Sequence, residues 1–442
     1  MTNIKKNDEI IVDIIDYGSS GEGIAKVEGY TLFVVGALKG EQCRIHILKV
    51  LKDYGFAKIV EVIKKSEHRV DSDCSTYVRC GGCALRHIDY EETLKIKKEN
   101  IKNLANKMLG KDINVCDTIG MENPYNYRNK AIYPISQDKK IGLYAERTHE
   151  VIPIKECKIQ TKKSQEIAQF ILDLWNDSIY NEKTGSGLLR NIIIREGFHT
   201  GELMVILVQN EKKEYDYSLL LQQFPEITTI VLNINNKNTN VVLGKENITI
   251  YGKGYITDRL NDYIFKISPN SFYQINPVQT EKMYKTAIDM SKLEKEDVLF
   301  DLYCGTGTIG VFASKNVKKV YGIELIPEAI EDAKINAANN NVNNIEFLTG
   351  DVEELLDKLI NVQKIKPTAV IVDPPRKGLD TNTINNILKV SPNKLTYISC
   401  NPATMMRDLK LLENKYKVKK IQPIDMFPFT KHCESITALE RR

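Results

Sequence analysis

The 442-residue chain is longer than one hydrophobic core usually organises, so we expect two or three domains. Its 62 Lys and Arg against 58 Asp and Glu give a net charge of +4, which is compatible with a polyanionic partner but excludes a histone-like excess. The sequence has no apolar leader and no run of about 18 apolar residues, so we expect no membrane span and a cytoplasmic location.

The N-terminal region, residues 1–63, contains short alternating strands separated by glycine-rich turns. About five strands in that length predict a small OB-like β-barrel. Such barrels commonly bind single-stranded nucleic acid on one face, although a protein-interaction or packing module is the alternative. Basic and acidic residues are nearly balanced in this region, so its composition leaves both interpretations open.

Cysteines mark the start of the central domain, which we place at residues 64–262. The nine cysteines of the chain are an odd, unevenly clustered set that suits metal ligands or catalysis better than secreted disulfides. A C-x5-C-x2-C pattern and one distant thiol make a four-sulfur set of Cys74, Cys80, Cys83 and Cys157. Four thiolates bind either zinc or an iron–sulfur cluster, and their spacing does not separate the two.

The rest of the central domain has a mixed α+β pattern. Helical spacing with a basic outward face covers 93–110, and we expect the helical segment 93–124 to pack on the C-terminal domain. The clearest later elements are one helix and two neighbouring strands, at 164–175, 188–195 and 203–208.

The C-terminal domain, residues 263–442, alternates helices with short buried strands. The strands are predicted at 298–302, 320–324, 345–348, 369–373 and 395–399. This alternation predicts an α/β fold with a doubly wound, Rossmann-like parallel sheet. Ligands of such sheets lie beyond the carboxyl ends of the strands, so we expect the chemistry at that edge.

A glycine-rich loop follows the first of these strands, from Asp301 to Gly310. Gly305 and Gly307 let the backbone approach a nucleotide closely, although G-x-G-x-x-G is by itself a weak signal. Asp301 at the strand end would repel the phosphates of a dinucleotide but would favour the sulfonium and amino groups of S-adenosylmethionine. The sequence therefore predicts S-adenosylmethionine as the cofactor.

Acidic residues also follow the next two strands. Glu324 ends the second strand, where a carboxylate can accept hydrogen bonds from both ribose hydroxyls. Asp351 follows the third strand and either meets the adenine amino group or caps the helix that begins after it.

The segment Asp373-Pro-Pro-Arg376 follows the fourth strand. Its two prolines fix a rigid turn that would hold Asp373 over the cofactor. An aromatic residue after the prolines would suggest methylation of an exocyclic amine, but Arg376 stands there instead. Arginine is better suited to contact a phosphate or a carbonyl of a nucleotide.

Cys400 follows the fifth strand, at the same edge as the cofactor loop. A buried structural cysteine is the alternative to a catalytic one. Carbon 5 of uracil is a poor nucleophile, and attack of a thiolate at carbon 6 converts the ring into an enolate that accepts a methyl group. We therefore predict that Cys400 is a covalent nucleophile.

The covalent intermediate must lose its carbon-5 proton before the cysteine can leave, so a general base is required nearby. Glu434 is our candidate for this base. His432 is an alternative base, and Cys433 is a rival nucleophile.

Together these motifs resemble the bacterial 23S rRNA (uracil-5-)-methyltransferases, which have an N-terminal TRAM domain and a [4Fe-4S] cluster. The resemblance covers nearly the whole chain. It is carried by the segments 21–25, 74–87, 127–130, 268–276, 301–310, 373–378 and 399–402.

The resemblance implies a role for each matching residue. The cluster ligands would be Cys74, Cys80, Cys83 and Cys157, with Cys400 as the nucleophile and Glu434 as the base. The contacts with S-adenosylmethionine would be made by Gln274, Tyr303, Glu324 and Asp373. The implied RNA contacts are Arg128, Lys130 and, as stacking partners of a uridine flipped out of folded RNA, Phe272 or Tyr273.

The tRNA branch of this family usually lacks both the barrel and the cysteine cluster, so the resemblance favours 23S rRNA as the substrate of a monomeric enzyme. The same chemistry on tRNA is the first alternative, and methylation of an exocyclic amine is the second. A non-catalytic RNA-binding or electron-transfer protein is the third, and the intact cofactor loop argues against it.

Overall fold

The computed structural model describes residues 4–110, 113–146 and 148–442. Three large sheets follow one another along the chain, accompanied by two sheets of two strands each. Within the described ranges, no helix is long and apolar enough to cross a membrane.

The first sheet has six strands: β1 (Glu9–Asp13), β2 (Asp16–Tyr17), β3 (Gly23–Val27), β4 (Tyr30–Val35), β5 (Gln42–Val50) and β6 (Tyr54–Lys64). They lie in the order β1-β5-β6-β4-β3-β2, with β4 and β6 parallel and the other neighbours antiparallel. Alternate side chains point into its core, as Tyr30, Leu32 and Val34 do in β4. The predicted N-terminal β-domain is confirmed, with six strands.

A buried ion pair joins the first sheet to the cysteine-rich segment. Glu41 is 1% exposed and lies 2.5 Å from Nε of Arg69. Arg69 also donates through Nη2 to the Gly36 carbonyl at 2.7 Å. Breaking such a pair leaves an uncompensated charge in the interior, so the pair constrains how the segment leaves the first sheet.

Helix α1 (Tyr90–Leu109) begins at its N-cap Asp89 and ends at Gly110, whose φ of 62° favours glycine. Ile101 and Ala105 lie in the same hydrophobic cluster as residues of the third sheet. Helix α1 therefore packs against the third sheet.

The prediction of a helical segment over 93–124 is wrong beyond Leu109, where α1 ends. Residues 111 and 112 of this segment lie outside the described residues. Val115 and Ile119 instead form isolated parallel bridges with Ile421 and Ile424. Extended backbone replaces helix here because these residues hydrogen-bond to the edge of the third sheet, a contact that local periodicity does not reveal.

The central region contains β7 (Lys130–Pro134), β8 (Gly142–Tyr144), β9 (Val151–Pro153), α2 (Lys162–Leu174), β10 (Leu189–Glu196), β11 (Leu203–Gln209), α3 (Ser218–Gln223), β12 (Ile227–Ile234) and β13 (Glu246–Gly252). The five-stranded sheet has the order β13-β12-β11-β10-β7, while β8 and β9 pair separately. As predicted, β10 and β11 are neighbours, and a helix precedes them.

A hairpin of β14 (Ile256–Leu260) and β15 (Tyr263–Ile267) crosses the predicted domain boundary at 262/263. Ile256 and Phe265 are buried in one cluster with Leu299 of the C-terminal domain and Ile206 of the central sheet. The hairpin therefore packs against both regions, and the predicted boundary runs through it.

The third sheet and its helices comprise α4 (Pro277–Ser291), β16 (Val298–Leu302), α5 (Thr308–Ser314), β17 (Lys319–Glu324), α6 (Pro327–Asn339), β18 (Ile345–Thr349), α7 (Val352–Asp357), a π-helical turn (Lys358–Val362), β19 (Ala369–Val372), α8 (Thr381–Val390), β20 (Lys394–Ser399), α9 (Pro402–Leu412), β21 (Tyr416–Ile424) and β22 (Glu434–Arg441). The order is β18-β17-β16-β19-β20-β22-β21. The first five strands are parallel, and β22 is antiparallel to both of its neighbours. The predicted doubly wound fold is confirmed.

Candidate active site

The carboxyl ends of β16, β17, β19 and β20 meet at one edge of the third sheet, because these strands are parallel. Asp301 is the penultimate residue of β16, and Glu324 is the last residue of β17. Asp373 and Cys400 directly follow β19 and β20. The structure therefore brings together the four strand-end residues that the sequence singled out.

Asp301 is fully buried, and neither oxygen of its carboxyl group has a hydrogen-bond partner among the described residues. Burial raises the pKa of Asp301 to about 8, with Asp373 and Glu324 adding to the shift. A Cβ atom at Gly310 would lie 3.0 Å from Asp301 Oδ2, so a larger residue would crowd the carboxyl. This buried, unpaired acid is suited to a cationic ligand.

Asp373 is half-buried, and burial raises its pKa to about 7. Glu324 is also half-buried at this edge. Asp301, Glu324 and Asp373 thus place three acidic groups in one region with little opposing charge. A ligand that brings positive charge would relieve this electrostatic cost, as the sulfonium and amino groups of S-adenosylmethionine would.

The glycine loop is fastened to the end of β17. The Gly305 N–H donates to Glu324 Oε2 at 3.2 Å, and the Ile326 N–H donates to Oε1 at 3.0 Å. Gly307 has a φ of 77°, and a Cβ atom there would lie 2.6 Å from the Phe347 ring. Glycine at this position is therefore required by both conformation and space.

Tyr303 adopts a left-handed conformation with a φ of 64°, which is uncommon for a residue other than glycine. Its hydroxyl donates to Asp380 Oδ2 at 3.3 Å, at the N-cap of α8. Non-glycine residues in this conformation are concentrated at functional sites. Its place between β16 and the glycine loop fits the cofactor role that the family resemblance implies.

Gln274 lies beside the same loop. Its carbonyl accepts a hydrogen bond from Asn129 Nδ2 at 2.9 Å, which ties it to the central region. Its side chain interacts with the hydroxyl of Tyr284, which lies 3.1 Å from Thr308 at the start of α5. These contacts place Gln274 near the cofactor loop, although nothing in its sequence spacing identifies it.

Asp351 is exposed and acts as the N-cap of α7, where its side chain accepts from the Glu353 N–H at 2.8 Å. The capping alternative is therefore realised in the structure. Asn336 was not predicted, yet it supports the loop: its Nδ2 donates to the Thr306 carbonyl at 3.0 Å. No sequence signal distinguishes it from Asn339, the other asparagine of α6.

Cys400 and Glu434 face each other across neighbouring strands. Ser399 of β20 pairs with Ser435 of β22, so the next step of this antiparallel register places Cys400 opposite Glu434. Glu434 is 4% exposed, and burial raises its pKa to about 8, with the nearby Asp373 adding to the shift. A thiol and a carboxyl thus share one end of the sheet.

The pKa of the Cys400 thiol is raised to about 11, mainly by burial and then by the charges of Glu434 and Asp373. Arg376 acts in the opposite direction and favours the thiolate. Arg376 is exposed, and its carbonyl accepts hydrogen bonds from Asn401 Nδ2 and the Thr404 hydroxyl at 3.0 and 3.2 Å. These bonds hold the turn after Asp373 against the start of α9.

His432 and Cys433 differ sharply in their surroundings. Cys433 is 6% exposed and belongs to a hydrophobic cluster, with its sulfur 3.5 Å from the Ile424 carbonyl. It is therefore a core residue and a poor rival to Cys400. His432 is half-buried, and burial together with nearby cations, Arg376 first among them, lowers its pKa.

A cavity of about 310 Å³ opens at Cys400. Its wall includes Arg376, Lys431 and His432, and also Asn100 of α1 and Ser19 of the first sheet's β2–β3 loop. The last two were not predicted, because only the tertiary fold brings these segments to the nucleophile. The cavity is therefore lined by a loop of the first sheet, by α1 and by the C-terminal domain, and each of these regions can contact a substrate bound there.

The four predicted cysteine ligands line a second cavity. Cys74, Cys80, Cys83 and Cys157 all contribute to its wall and are free thiols. The pKa of Cys83 is raised to about 12, mainly by burial and also by the other three thiols, while Arg86 acts in the opposite direction. Among the described residues, however, no three His, Cys, Asp or Glu side chains are arranged to hold a single metal ion. The donor set fits a four-sulfur group, but its present arrangement does not fit one ion.

The predicted RNA contacts separate into accessible and buried side chains. Phe272 is 68% exposed, whereas Tyr273 is 7% exposed and belongs to the hydrophobic core. The prediction that Tyr273 stacks on a flipped uridine is therefore wrong, because its ring is packed in the hydrophobic core. Arg128 and Lys130 are half-buried, and burial, together with the charge of Arg195, lowers the pKa of Lys130 to about 7.

Comparison with known families decides the class of this site. A sequence model of the tRNA (uracil-5-)-methyltransferase family matches residues 89–442, and one of the TRAM domain matches residues 5–60. The chain belongs to this uracil-5-methyltransferase family. It is an S-adenosylmethionine-dependent RNA methyltransferase with an N-terminal TRAM domain, as the sequence resemblance implied.

Similar proteins extend over nearly the whole chain. An uncharacterized RNA methyltransferase of Clostridium acetobutylicum is 44% identical, covering 99% of this chain and 98% of its own. One of Clostridium tetani is 43% identical, covering 98% and 96%. The solved structure of Pyrococcus abyssi tRNA (uracil-54, C5)-methyltransferase with S-adenosyl-L-homocysteine has a TM-score of 0.77 and 28% identity, covering 97% of this chain and 99% of its own.

Proposed function

We propose that the protein methylates carbon 5 of a specific uridine in 23S rRNA, with Cys400 as a covalent nucleophile and Glu434 as the general base. The observation that carries the proposal is the pairing of β20 with β22, which sets Cys400 opposite Glu434 beside the cofactor loop. A covalent pyrimidine reaction needs both groups on one bound base, and this arrangement supplies them.

The proposed reaction is balanced without any further reactant. The thiol of Cys400 gives its proton to solvent, a bond forms between its sulfur and carbon 6, and the electrons of the 5,6 double bond move to the oxygen on carbon 4. Carbon 5 then takes the methyl group from the sulfonium, and S-adenosylhomocysteine leaves. Glu434 removes the carbon-5 proton, the 5,6 double bond re-forms and the thiolate departs.

The cofactor assignment is supported by the acids at the strand ends. Asp301, buried without a partner, would pair with the amino group of S-adenosylmethionine, and Glu324 would reach the ribose while it fastens Gly305. Asp373, Gln274 and Tyr303 surround the same loop and complete the proposed contacts. Arg376 and Phe272 are the exposed candidates for RNA contact.

The mechanism is tested with RNA that contains 5-fluorouridine, which has no carbon-5 proton to surrender. We expect the wild-type protein to form an adduct that survives denaturation and contains the methyl group. The Cys400→Ala variant should form none. An adduct that persists in Cys400→Ala would refute the assignment of the nucleophile, and mass spectrometry that finds methyladenosine would favour exocyclic-amine transfer instead.

A specific observation also favours tRNA as the substrate. The Pyrococcus abyssi enzyme acts on uridine 54 of tRNA and matches 97% of this chain, so the N-terminal domain alone does not argue for rRNA. Mapping 5-methyluridine in 23S rRNA and tRNA from a strain lacking this protein separates the two. Loss of methylation from 23S rRNA would support the proposal, whereas loss from tRNA alone would assign tRNA as the substrate instead.

We also propose that Cys74, Cys80, Cys83 and Cys157 hold a [4Fe-4S] cluster. Four thiols around one cavity would provide the ligands, and a single zinc ion is the alternative. A bound cluster would join the segments that carry these cysteines. Iron and sulfide analysis together with visible absorbance tests the proposal, and a colourless protein containing one zinc ion would refute it.

A further inference from the structure

The connection between β21 and β22, residues 425–433, is held from outside its own sheet. Lys97 Nζ donates to the Phe427 carbonyl at 3.1 Å, and the Tyr127 hydroxyl donates to the Pro428 carbonyl at 3.2 Å. These donors lie 330 and 301 residues away in the chain. The backbone that leads into β22 is therefore positioned by tertiary contacts.

Phe429 is the residue of this connection that the cysteine-rich segment holds directly. Its carbonyl accepts hydrogen bonds from the N–H groups of Ala84 and Leu85, at 3.0 and 2.9 Å. These two residues directly follow Cys83 of the four-cysteine cavity. The φ of Phe429 is 63°, a conformation that costs free energy in a residue other than glycine and needs support from its surroundings.

The ring of Phe429 is also enclosed by the cysteine-rich side of the molecule. The Arg86 guanidinium lies 4.4 Å from its centroid, and the rings of Tyr90 and Tyr125 are each 5.6 Å away. Phe429 is 5% exposed and shares a hydrophobic cluster with Cys157. The turn and the cysteine segment therefore behave as one packed unit.

Glu434 is the first residue of β22, directly after this connection, and its backbone pairs with Ile424 of β21. Burial and the charges of Asp373 and Arg376 act on its carboxyl group. The direction of its side chain thus depends on how the connection enters the strand. Misplacement of a catalytic group by about 1 Å can reduce a rate by roughly a hundredfold.

We infer that Phe429 is a positioning residue for the general base, through which the cysteine-rich segment sets the geometry of proton removal. The inference rests on the proposed role of Glu434. It assigns Phe429 to the last step of the reaction, after Cys400 has attacked and the methyl group has been transferred.

The experiment follows single turnover on RNA with ordinary uridine and S-adenosylmethionine labelled in the methyl group. In Phe429→Ala we expect S-adenosylhomocysteine to form within about twofold of the wild-type rate, while release of methylated RNA slows by roughly tenfold to a hundredfold. A denaturation-resistant adduct carrying the label should therefore accumulate. Glu434→Gln should show the same adduct in larger amount.

Phe224→Ala is the matched control, because Phe224 is 6% exposed and has a cation, Lys163, over its ring far from the connection. This variant should release methylated RNA without accumulating the adduct. If Phe429→Ala does not fold, Phe429→Leu, which keeps an apolar side chain, replaces it, with the same adduct expected. Partial restoration of release in Phe429→Leu relative to Phe429→Ala would support a positioning role.

Equal slowing of S-adenosylhomocysteine formation and RNA release in the Phe429 variants would overturn the inference, as would release at the wild-type rate. Failure of the proposed function itself is recognised separately. In that case, wild-type protein would not form the Cys400-dependent adduct with 5-fluorouridine RNA.

Discussion

Lys97 of α1 forms a buried ion pair with Asp425 at the end of β21, at 2.5 Å, although the two residues are 328 positions apart. Both side chains are almost fully buried, and the Tyr90 hydroxyl donates to the second carboxylate oxygen of Asp425 at 2.8 Å. The pair joins the helix that follows the cysteine-rich segment to the connection that leads to Glu434.

Lys97→Met should destabilise the fold strongly, because it leaves the Asp425 carboxylate buried with only the tyrosine as partner. Loss of one member of a buried pair typically costs about 3–5 kcal/mol. Urea unfolding measures the change. Lys98→Met is the neighbouring control, since Lys98 pairs with the exposed Asp117, and it should unfold close to wild type. Similar stability of both variants would show that the buried pair is not required.

Binding of S-adenosylmethionine should strengthen as the pH rises from about 6 to 9. The pKa values of Asp301 and Asp373 are raised to about 8 and about 7 in the free protein, so both acids gain negative charge in this range. The charged forms attract the cationic cofactor. Calorimetric titration at several pH values measures the affinity. Asp301→Asn should weaken binding and flatten the pH dependence, while the exposed Asp289→Asn on α4 should do neither.

The carboxyl group of Asp301 should lower the stability of the cofactor-free protein at alkaline pH. Its folded pKa, about 8, lies above the value near 4 of an unfolded aspartate, so the folded state holds a proton that the unfolded state has released. Stability therefore falls as the pH rises through this window. Asp301→Asn should raise the thermal midpoint relative to wild type more at pH 8 than at pH 5. An equal effect at both pH values would contradict a raised pKa.

Glu434→Gln should stop the reaction after methyl transfer and leave methylated RNA attached to Cys400. In the wild type, the rate of RNA release should increase with pH up to about 8 and then level off, because the carboxylate is the active base and its pKa is raised to about 8. Rapid-quench single turnover measures this step. Glu440→Gln, at the exposed far end of the same strand, should behave as wild type.

Cys433→Ala should retain adduct formation, since Cys433 is only 6% exposed and packs in a hydrophobic cluster at the wall of the cavity, whereas Cys400 is half-buried there. Removing its sulfur leaves a small cavity and is expected to cost about 1 kcal/mol of unfolding free energy. Gel analysis with 5-fluorouridine RNA distinguishes the two cysteines. Loss of the adduct in a folded Cys433→Ala protein would transfer the nucleophile role from Cys400 to Cys433.

Motif spacing predicted most of the cofactor side of the site. Asp301, Glu324, Asp373 and Cys400 each lie within one residue of the end of a predicted parallel strand, and parallel strands bring their carboxyl ends to one edge. Gln274 came only from the family resemblance, because it lies in a loop whose position depends on Asn129 of another region. Such a contact has no local periodicity.

Other predictions failed where side chains compete for the core. Tyr273 and Phe272 are adjacent aromatic residues, and only their packing decides that the first is buried and the second exposed. The residues after α1 were expected to be helical, but Val115 and Ile119 pair with the edge of the third sheet. Hydrogen bonds to a distant strand outweigh local helix propensity there.

The sequence by itself determined the doubly wound fold and the nucleophile candidate, because strand periodicity and strand-end motifs are local properties, and the motif resemblance implied the uracil-5-methyltransferase class. The tertiary structure decided the rest of the geometry of the candidate site. The antiparallel pairing of β20 and β22 places Cys400 opposite Glu434 and leaves Cys433 in the core. Phe429 and Lys97 acquire their roles only when segments more than 300 residues apart pack together, since long-range packing sets which side chains meet.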